Sequence, residues 1–321
     1  MTFWILLACS EADKNTDNSV EDETPNTEPI ESDFPSVQPI YDSWLEEAQP
    51  MPFDPEGVDN TTVVSGIIIS MSPMLSLQTN IGMLGGQENV TCPEIDGIFP
   101  EEGMPEEDIL VTGNGCTDEF GITHTGSFIY NAEGIIYTDY GMDDPSEVEN
   151  CNLSSLSIFN GGYITNPMNG DMSYMLHLNS DGVNEDCSGA EEVEIFFSGS
   201  MSTTAGTNPD ASVINGEAVM MTKAEGMTYK VDILTENEEI DSTICESEPI
   251  SGTNTLSNTI DTYVFTFDGA TDCDEEPTQM LSINGGPQEE VAGTSCSNIS
   301  SKEGFLSVFL PLLMVVLHRK E

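Results

Sequence analysis

The residues of this chain able to do chemistry are mostly cysteines and carboxylates. Eight cysteines and 58 acidic side chains accompany only 3 histidines in 321 residues. Six of the cysteines, Cys92, Cys116, Cys151, Cys187, Cys245 and Cys273, are spread through the middle. An even set in an exported chain reads as disulfides, and six cysteines allow fifteen pairings. The simplest is sequential: 92–116, 151–187 and 245–273. Each such bridge stabilises by about 3–4 kcal/mol in the chain-entropy model. Zinc is the alternative use, but no Cys-x-x-Cys pair exists and the spacing is wide. Cys9 and Cys296 stand apart, each beside a short apolar segment at an end of the chain.

The run Asn179-Ser180-Asp181-Gly182-Val183-Asn184-Glu185-Asp186 gathers oxygen ligands around a glycine. Calcium takes six to eight oxygens from flexible carboxylates and carbonyls. The candidate ligands are Asp181, Asn184 and Asp186. The run resembles the Asp-rich calcium loops of thrombospondin-type repeats, which also end beside a cysteine, here Cys187. It departs from them in lacking a second Asp-x-Asp step and in occurring once. Asp268–Asp274 is a poorer second candidate. The competing reading is an acidic turn between strands.

His124 and His177 lie in strand-like stretches, with no second histidine at metal-ligand spacing, and are expected to be ordinary strand residues. No Gly-x-Ser-x-Gly elbow marks a serine nucleophile. Glycoside hydrolysis needs two carboxyls at a set separation. With 58 carboxylates every separation is available, so that signal carries no information. The expected role is non-enzymatic: structural, adhesive or ligand-binding, towards an unidentified surface ligand. The alternatives are a secreted hydrolase acting on polysaccharide and a calcium-dependent β module.

Leu6-Leu7-Ala8-Cys9 resembles the lipobox of bacterial lipoproteins. In that family the cysteine sulfur takes a diacylglycerol and the peptide is cut before it. Ala8 supplies the small residue the peptidase needs, and Phe3–Leu7 a short apolar run. No basic n-region precedes that run, as secretory signals normally have. Ser10 resembles the outer-membrane rather than the inner-membrane retention signal. At the other end, Phe305–Leu317 is an apolar run interrupted by Pro311 and followed by His318, Arg319 and Lys320. As a helix it spans about 20 Å, short of the ~30 Å hydrocarbon core. Its order of cysteine, spacer, apolar run and basic end resembles the C-terminal sorting tails of myxobacterial-type surface proteins, which a membrane protease removes. A plain tail anchor is the other reading. The resemblances imply a Gram-negative outer membrane or cell surface, with lipid held through Cys9.

Charge narrows the partners. The formal net charge is −52, and no Lys or Arg occurs from residue 15 to residue 222. Ion pairs are therefore not expected to hold the fold, and self-repulsion must be relieved by screening or bound cations. Nucleic acid is excluded, because phosphate binding needs Lys and Arg. Adaptation to salty water and calcium binding both account for the acidity.

The elements that position these residues read as strands. Residues 10–60 hold 15 acidic residues and 7 prolines, a composition expected to stay a disordered acidic tether. Ile40–Leu45 is the exception, a short docking segment containing Trp44. From residue 61 to 293 period-2 alternation dominates. Val193, Ile195 and Phe197 share one face, as do Met227, Tyr229, Val231 and Ile233, and as do Tyr263, Phe265 and Phe267. The run Thr62–Met71 is β-branched. Asn160-Gly161-Gly162, Asn169-Gly170-Asp171, Asn215-Gly216 and Asn284-Gly285-Gly286 read as turns. Strands every 10–15 residues without helical runs predict an all-β protein. The expected architecture is an antiparallel meander curled into a sandwich or open barrel and stapled by disulfides. It forms one domain or two halves, 61–187 and 188–290. The flanks are a lipoprotein-type signal at 1–9 and an apolar tail at 294–321.

Overall fold

A computed structural model describes residues 33–51, 91–99, 105, 107–119, 121–144, 155–166, 168–183, 190–224, 226–241, 243–244, 249–267 and 278–292. They form one helix and fifteen strands. The helix α1 (Gln38–Glu47) and strand β1 (Gln49–Pro50) come first. Then follow β2 (Glu94–Asp96), β3 (Ile109–Thr112), β4 (Cys116–Thr117), β5 (Thr123–Asn131), β6 (Gly134–Asp144), β7 (Ser155–Thr165) and β8 (Met172–Val183). The rest are β9 (Ala190–Ala205), β10 (Ala211–Ala224), β11 (Met227–Asp241), β12 (Ser251–Ser257), β13 (Thr262–Phe267), β14 (Thr278–Ile283) and β15 (Glu289–Ala292).

All fifteen strands belong to a single sheet. Its order runs back along the sequence from β15 to β5, then β3 and β2, with β4 also on β5 and β1 on β11. Every pairing is antiparallel except the short parallel β1–β11 contact. The meander is open: β2 and β15 end the order and do not pair with each other. It passes without a break through the β8–β9 pairing, between the two halves considered from sequence.

Alternation explains the core. One register row crosses the sheet as Ile109, Tyr130, Ile135, Tyr163, Tyr174, Gly199, Ala218, Ile233, Leu256, Tyr263 and Ile283. The buried residues of this face from β3 to β11 join into one cluster with Phe128, Phe159, Leu176 and Phe197. Burial of one face across so many strands is what holds this open sheet together. Tyr263, Phe265 and Leu281 make a smaller cluster on the last strands.

Cys92 and Cys116 form a disulfide that ties the start of β2 to β4 across 24 residues of sequence. It is the first of the three sequential bridges; Cys151, Cys187, Cys245 and Cys273 lie outside the described residues. So does the expected strand Thr62–Met71.

Three expectations are corrected. Asn160-Gly161-Gly162 and Asn215-Gly216 are not turns between strands; they lie within β7 and β10. Asn160 and Asn215 instead supply side-chain acceptors to β-bulges in neighbouring strands, and positive φ occurs at Gly161 and Gly162 but not at Asn215 or Gly216. Residues 33–51, inside the stretch expected to be a disordered tether, carry α1 and β1. The physical reason is an apolar stripe. Val37, Tyr41, Trp44 and Ala48 recur at helical spacing and face the sheet, where they meet Phe196, Met175 and Met221. The docking segment read at Ile40–Leu45 is the centre of this helix. Ala48 turns to an extended conformation and ends it.

Candidate functional site

Three polar assemblies stand out, and each is built by the alternation and bulges of the sheet. The first is on the inner face. A register shift in β6 between Tyr137 and Tyr140, with Asp139 at a φ of 47°, turns both tyrosines inward although they are three residues apart. Tyr140 then meets His124 of β5. His124 Nδ1 is 2.8 Å from the Tyr140 hydroxyl, and Nε2 is 2.9 Å from Asp118 Oδ2. A carboxylate only accepts, so Nε2 carries the hydrogen, and in the neutral imidazole Nδ1 accepts from Tyr140. Burial, and secondarily the charge of Asp118, raises the Tyr140 pKa, which keeps its proton in place for that bond. Asp118 Oδ1 also accepts the backbone N–H of Ile122. Asp–His–Tyr is a combination suited to proton relay, yet the side chains of His124 and Asp118 are 1% and 2% exposed. The chain of bonds braces β4, β5 and β6 beside the disulfide, since Cys116 and His124 are register partners.

The second assembly is on the outer face, beneath α1. His177 of β8 stacks on Phe196 at 5.1 Å and meets the edge of Trp44 at 5.6 Å. Its Nε2 is 3.1 Å from Glu194 Oε1, whose other oxygen is 3.4 Å from Lys223 Nζ. Lys223 in turn lies 5.4 Å from the centre of the Trp44 ring. Burial lowers the His177 pKa and outweighs the opposing pull of Glu194. Ion pairs are not expected to matter in so acidic a chain, yet Lys223–Glu194 is one here and Lys230–Asp232 is another.

The third assembly lies near the end of β11, where Glu238, Glu239 and Asp241 are all buried. Their carboxylates accept from neutral donors. Glu238 takes the Asn254 amide at 3.0 Å, Glu239 the backbone N–H of Thr207 at 2.7 Å, and Asp241 the Asn208 amide at 2.6 Å. Thr243 gives Asp241 two more bonds, from its N–H and its hydroxyl. The Thr243 and Asn208 bonds hold the Asp241 carboxyl below the usual carboxylate range. With so few cations in the chain, amides and hydroxyls replace Lys and Arg as partners.

Of the calcium candidates, Asp181 sits in β8 as the register partner of Glu192 in β9. Asn184, Asp186 and the stretch 268–274 lie outside the described residues, as does Cys9. Among the described residues no three His, Cys, Asp or Glu side chains are grouped to hold a metal ion, and no helix there is long and apolar enough to cross a membrane. Sequence reading singled out both histidines but not their partners Asp118, Tyr140, Glu194 and Lys223. Glu194 was in reach: it faces outward with Phe196 on the strand pattern of 192–197. Asp118 was not, being one carboxylate among 58. Compared with known proteins, the chain matches no family model, no curated protein and no solved structure.

Proposed function

We propose that the protein is a non-enzymatic, lipid-anchored module displayed at the outer membrane or cell surface of a Gram-negative bacterium, with a structural, adhesive or ligand-binding role. The lipobox-like Leu6–Cys9 supplies the anchor, and the apolar 294–321 tail is a sorting or anchor tail. One observation carries the non-enzymatic part. The groups best suited to acid–base chemistry, His124 and Asp118, are 1% and 2% exposed in their side chains and are spent on joining strands. The inner face around them is filled by Phe128, Tyr137, Tyr140 and Phe159, each buried to 1% or less. A packed aromatic interior suits a rigid body that presents its exterior. The segment leading from the anchor enters through α1, pinned to the middle of the sheet, as a displayed module requires.

The test is at Cys9. Expressed in a Gram-negative host, the parent chain is expected to take up labelled palmitate and to fractionate with membranes. Cys9→Ala is expected to lose the label and appear in the soluble fraction. Unchanged labelling of Cys9→Ala would remove the lipoprotein reading.

A second reading, a calcium-dependent module, is favoured by the β8–β9 register. Asp181 and Glu192, both acidic in type, are register partners where β8 ends and β9 begins. These positions lead directly to Asn184 and Asp186.

A further inference from the structure

Six Lys and Arg residues serve 321 positions, and only Lys223 and Lys230 fall among the described ones. Lys223 stands beneath α1, and Lys230 beside β1, the strand that follows the helix. Lys223 lies against Glu194 and Trp44. Lys230 pairs with Asp232 at 2.9 Å and is the register partner of Pro50, where β1 joins β11. His177 and Lys223 thus both lie against Trp44 in the seat of one short helix. A helix of 10 residues is too short to persist in water unaided, so its state depends on that seat.

We propose that α1 is an acid-released latch: neutral His177 completes its seat, and protonation of His177 unseats the helix and uncovers Met175, Phe196 and Met221 on the outer face. The fixed end is β1. The N–H of Met51 donates to Lys230 O at 2.9 Å, its carbonyl accepts the Asn258 amide at 2.6 Å, and its side chain belongs to the inner cluster. Ala48, extended between helix and strand, is the hinge.

The charged and titratable groups around His177 are few. From β9 Glu194 accepts its N–H; from β10 Lys223 shares that carboxylate. From β7 its register partner is Asn160, whose amide is engaged by Asp139. From α1 come Trp44 and, one turn earlier, Tyr41; the helix carboxylates Asp42, Glu46 and Glu47 point to solvent. The seat therefore holds one carboxylate for two cationic groups, and burial disfavours the second charge. The sign follows by linkage. His177 has a lower pKa seated than free, so the seat is fully stable above about pH 6.5, the free imidazole value, and loses stability as pH falls below it.

The test uses the full chain carrying Trp4→Phe, which leaves Trp44 as the sole indole. Fluorescence and amide exchange are followed from pH 7.5 to pH 5 at fixed ionic strength. The expected result is a red shift of Trp44 emission and loss of α1 protection, with β8 and β9 amides still protected. His177→Gln, which cannot take up the proton, is expected to abolish the shift. Lys223→Met, which removes a charge that disfavours the imidazolium, is expected to shrink it. No red shift in the parent, an undiminished shift in His177→Gln, or loss of protection throughout the sheet at the same pH would each overturn the latch. None of these readouts depends on lipid, so they stand apart from the fate of Cys9.

Discussion

Tyr137 and Tyr140 are both fully buried and three residues apart, yet their hydroxyls differ in what they do. Tyr140 donates to His124. The Tyr137 hydroxyl has no hydrogen-bond partner among the described residues, and burial pushes its pKa far up, so it remains a neutral and unused donor. A buried polar group left unmatched costs about 1–3 kcal/mol. The same substitution is therefore expected to act with opposite signs. Tyr137→Phe should stabilise by roughly 1 kcal/mol, because it removes a desolvated hydroxyl and keeps the ring. Tyr140→Phe should destabilise by about 1–3 kcal/mol, because it orphans Nδ1 of His124 in a dry interior. Urea unfolding midpoints of the two variants settle this. A destabilising Tyr137→Phe would mean that its hydroxyl has a partner after all.

At the level of elements, two bulges are built from the same parts. Asp139 in β6 and Asn237 in β11 have φ values of 47° and 52°. In each case an asparagine on one neighbouring strand accepts the bulge N–H at 2.8 Å: Asn160 for Asp139, Asn215 for Asn237. On the other neighbour lies a glycine. A Cβ on Gly126 would fall 1.9 Å from Asp139 O, and one on Gly252 would fall 2.4 Å from Asn237 O. Gly126→Ala is expected to cost more than the ~1–3 kcal/mol of ordinary overpacking, since the obstacle is backbone. Gly170→Ala has a similar φ of 74° but open space, and should cost only the ~1–2 kcal/mol of a left-handed alanine. Equal losses in melting temperature for the two would refute the steric argument. These bulges also mark the limit of what the sequence made legible. An Asn-Gly pair suits a hairpin turn and equally the flank of a β-bulge, so 160–162 and 215–216 read as turns. Alternation was a safer guide: Ile195 and Phe197, and Tyr263, Phe265 and Phe267, are buried on the face it assigned them. It gave no reason for Phe196, on the opposite face, to be 0% exposed, because its cover comes from a helix some 150 residues earlier in the chain.

For the whole molecule the question is how a charge of −52 stays folded in one open sheet. The buried part of the answer is on the structure: Glu238, Glu239 and Asp241 are met by amides and hydroxyls, and these bonds do not depend on counter-ions. Lys223 and Lys230 neutralise Glu194 and Asp232 locally. Among the described residues no other Lys or Arg is present to offset the remaining carboxylates, so solvent ions must moderate much of their repulsion. The Debye length falls from about 30 Å at 0.01 M salt to about 3 Å at 1 M. The melting temperature should therefore climb steadily with sodium chloride. At fixed ionic strength, exchanging calcium for a chelator should leave it in place if screening alone is at work. A large fall on chelation, abolished by Asp181→Asn together with Asp186→Asn, would instead place a specific cation at the end of the β8–β9 hairpin. The two outcomes separate cleanly, because monovalent salt at high concentration screens all carboxylates alike, whereas calcium at low concentration can act only where several oxygens converge.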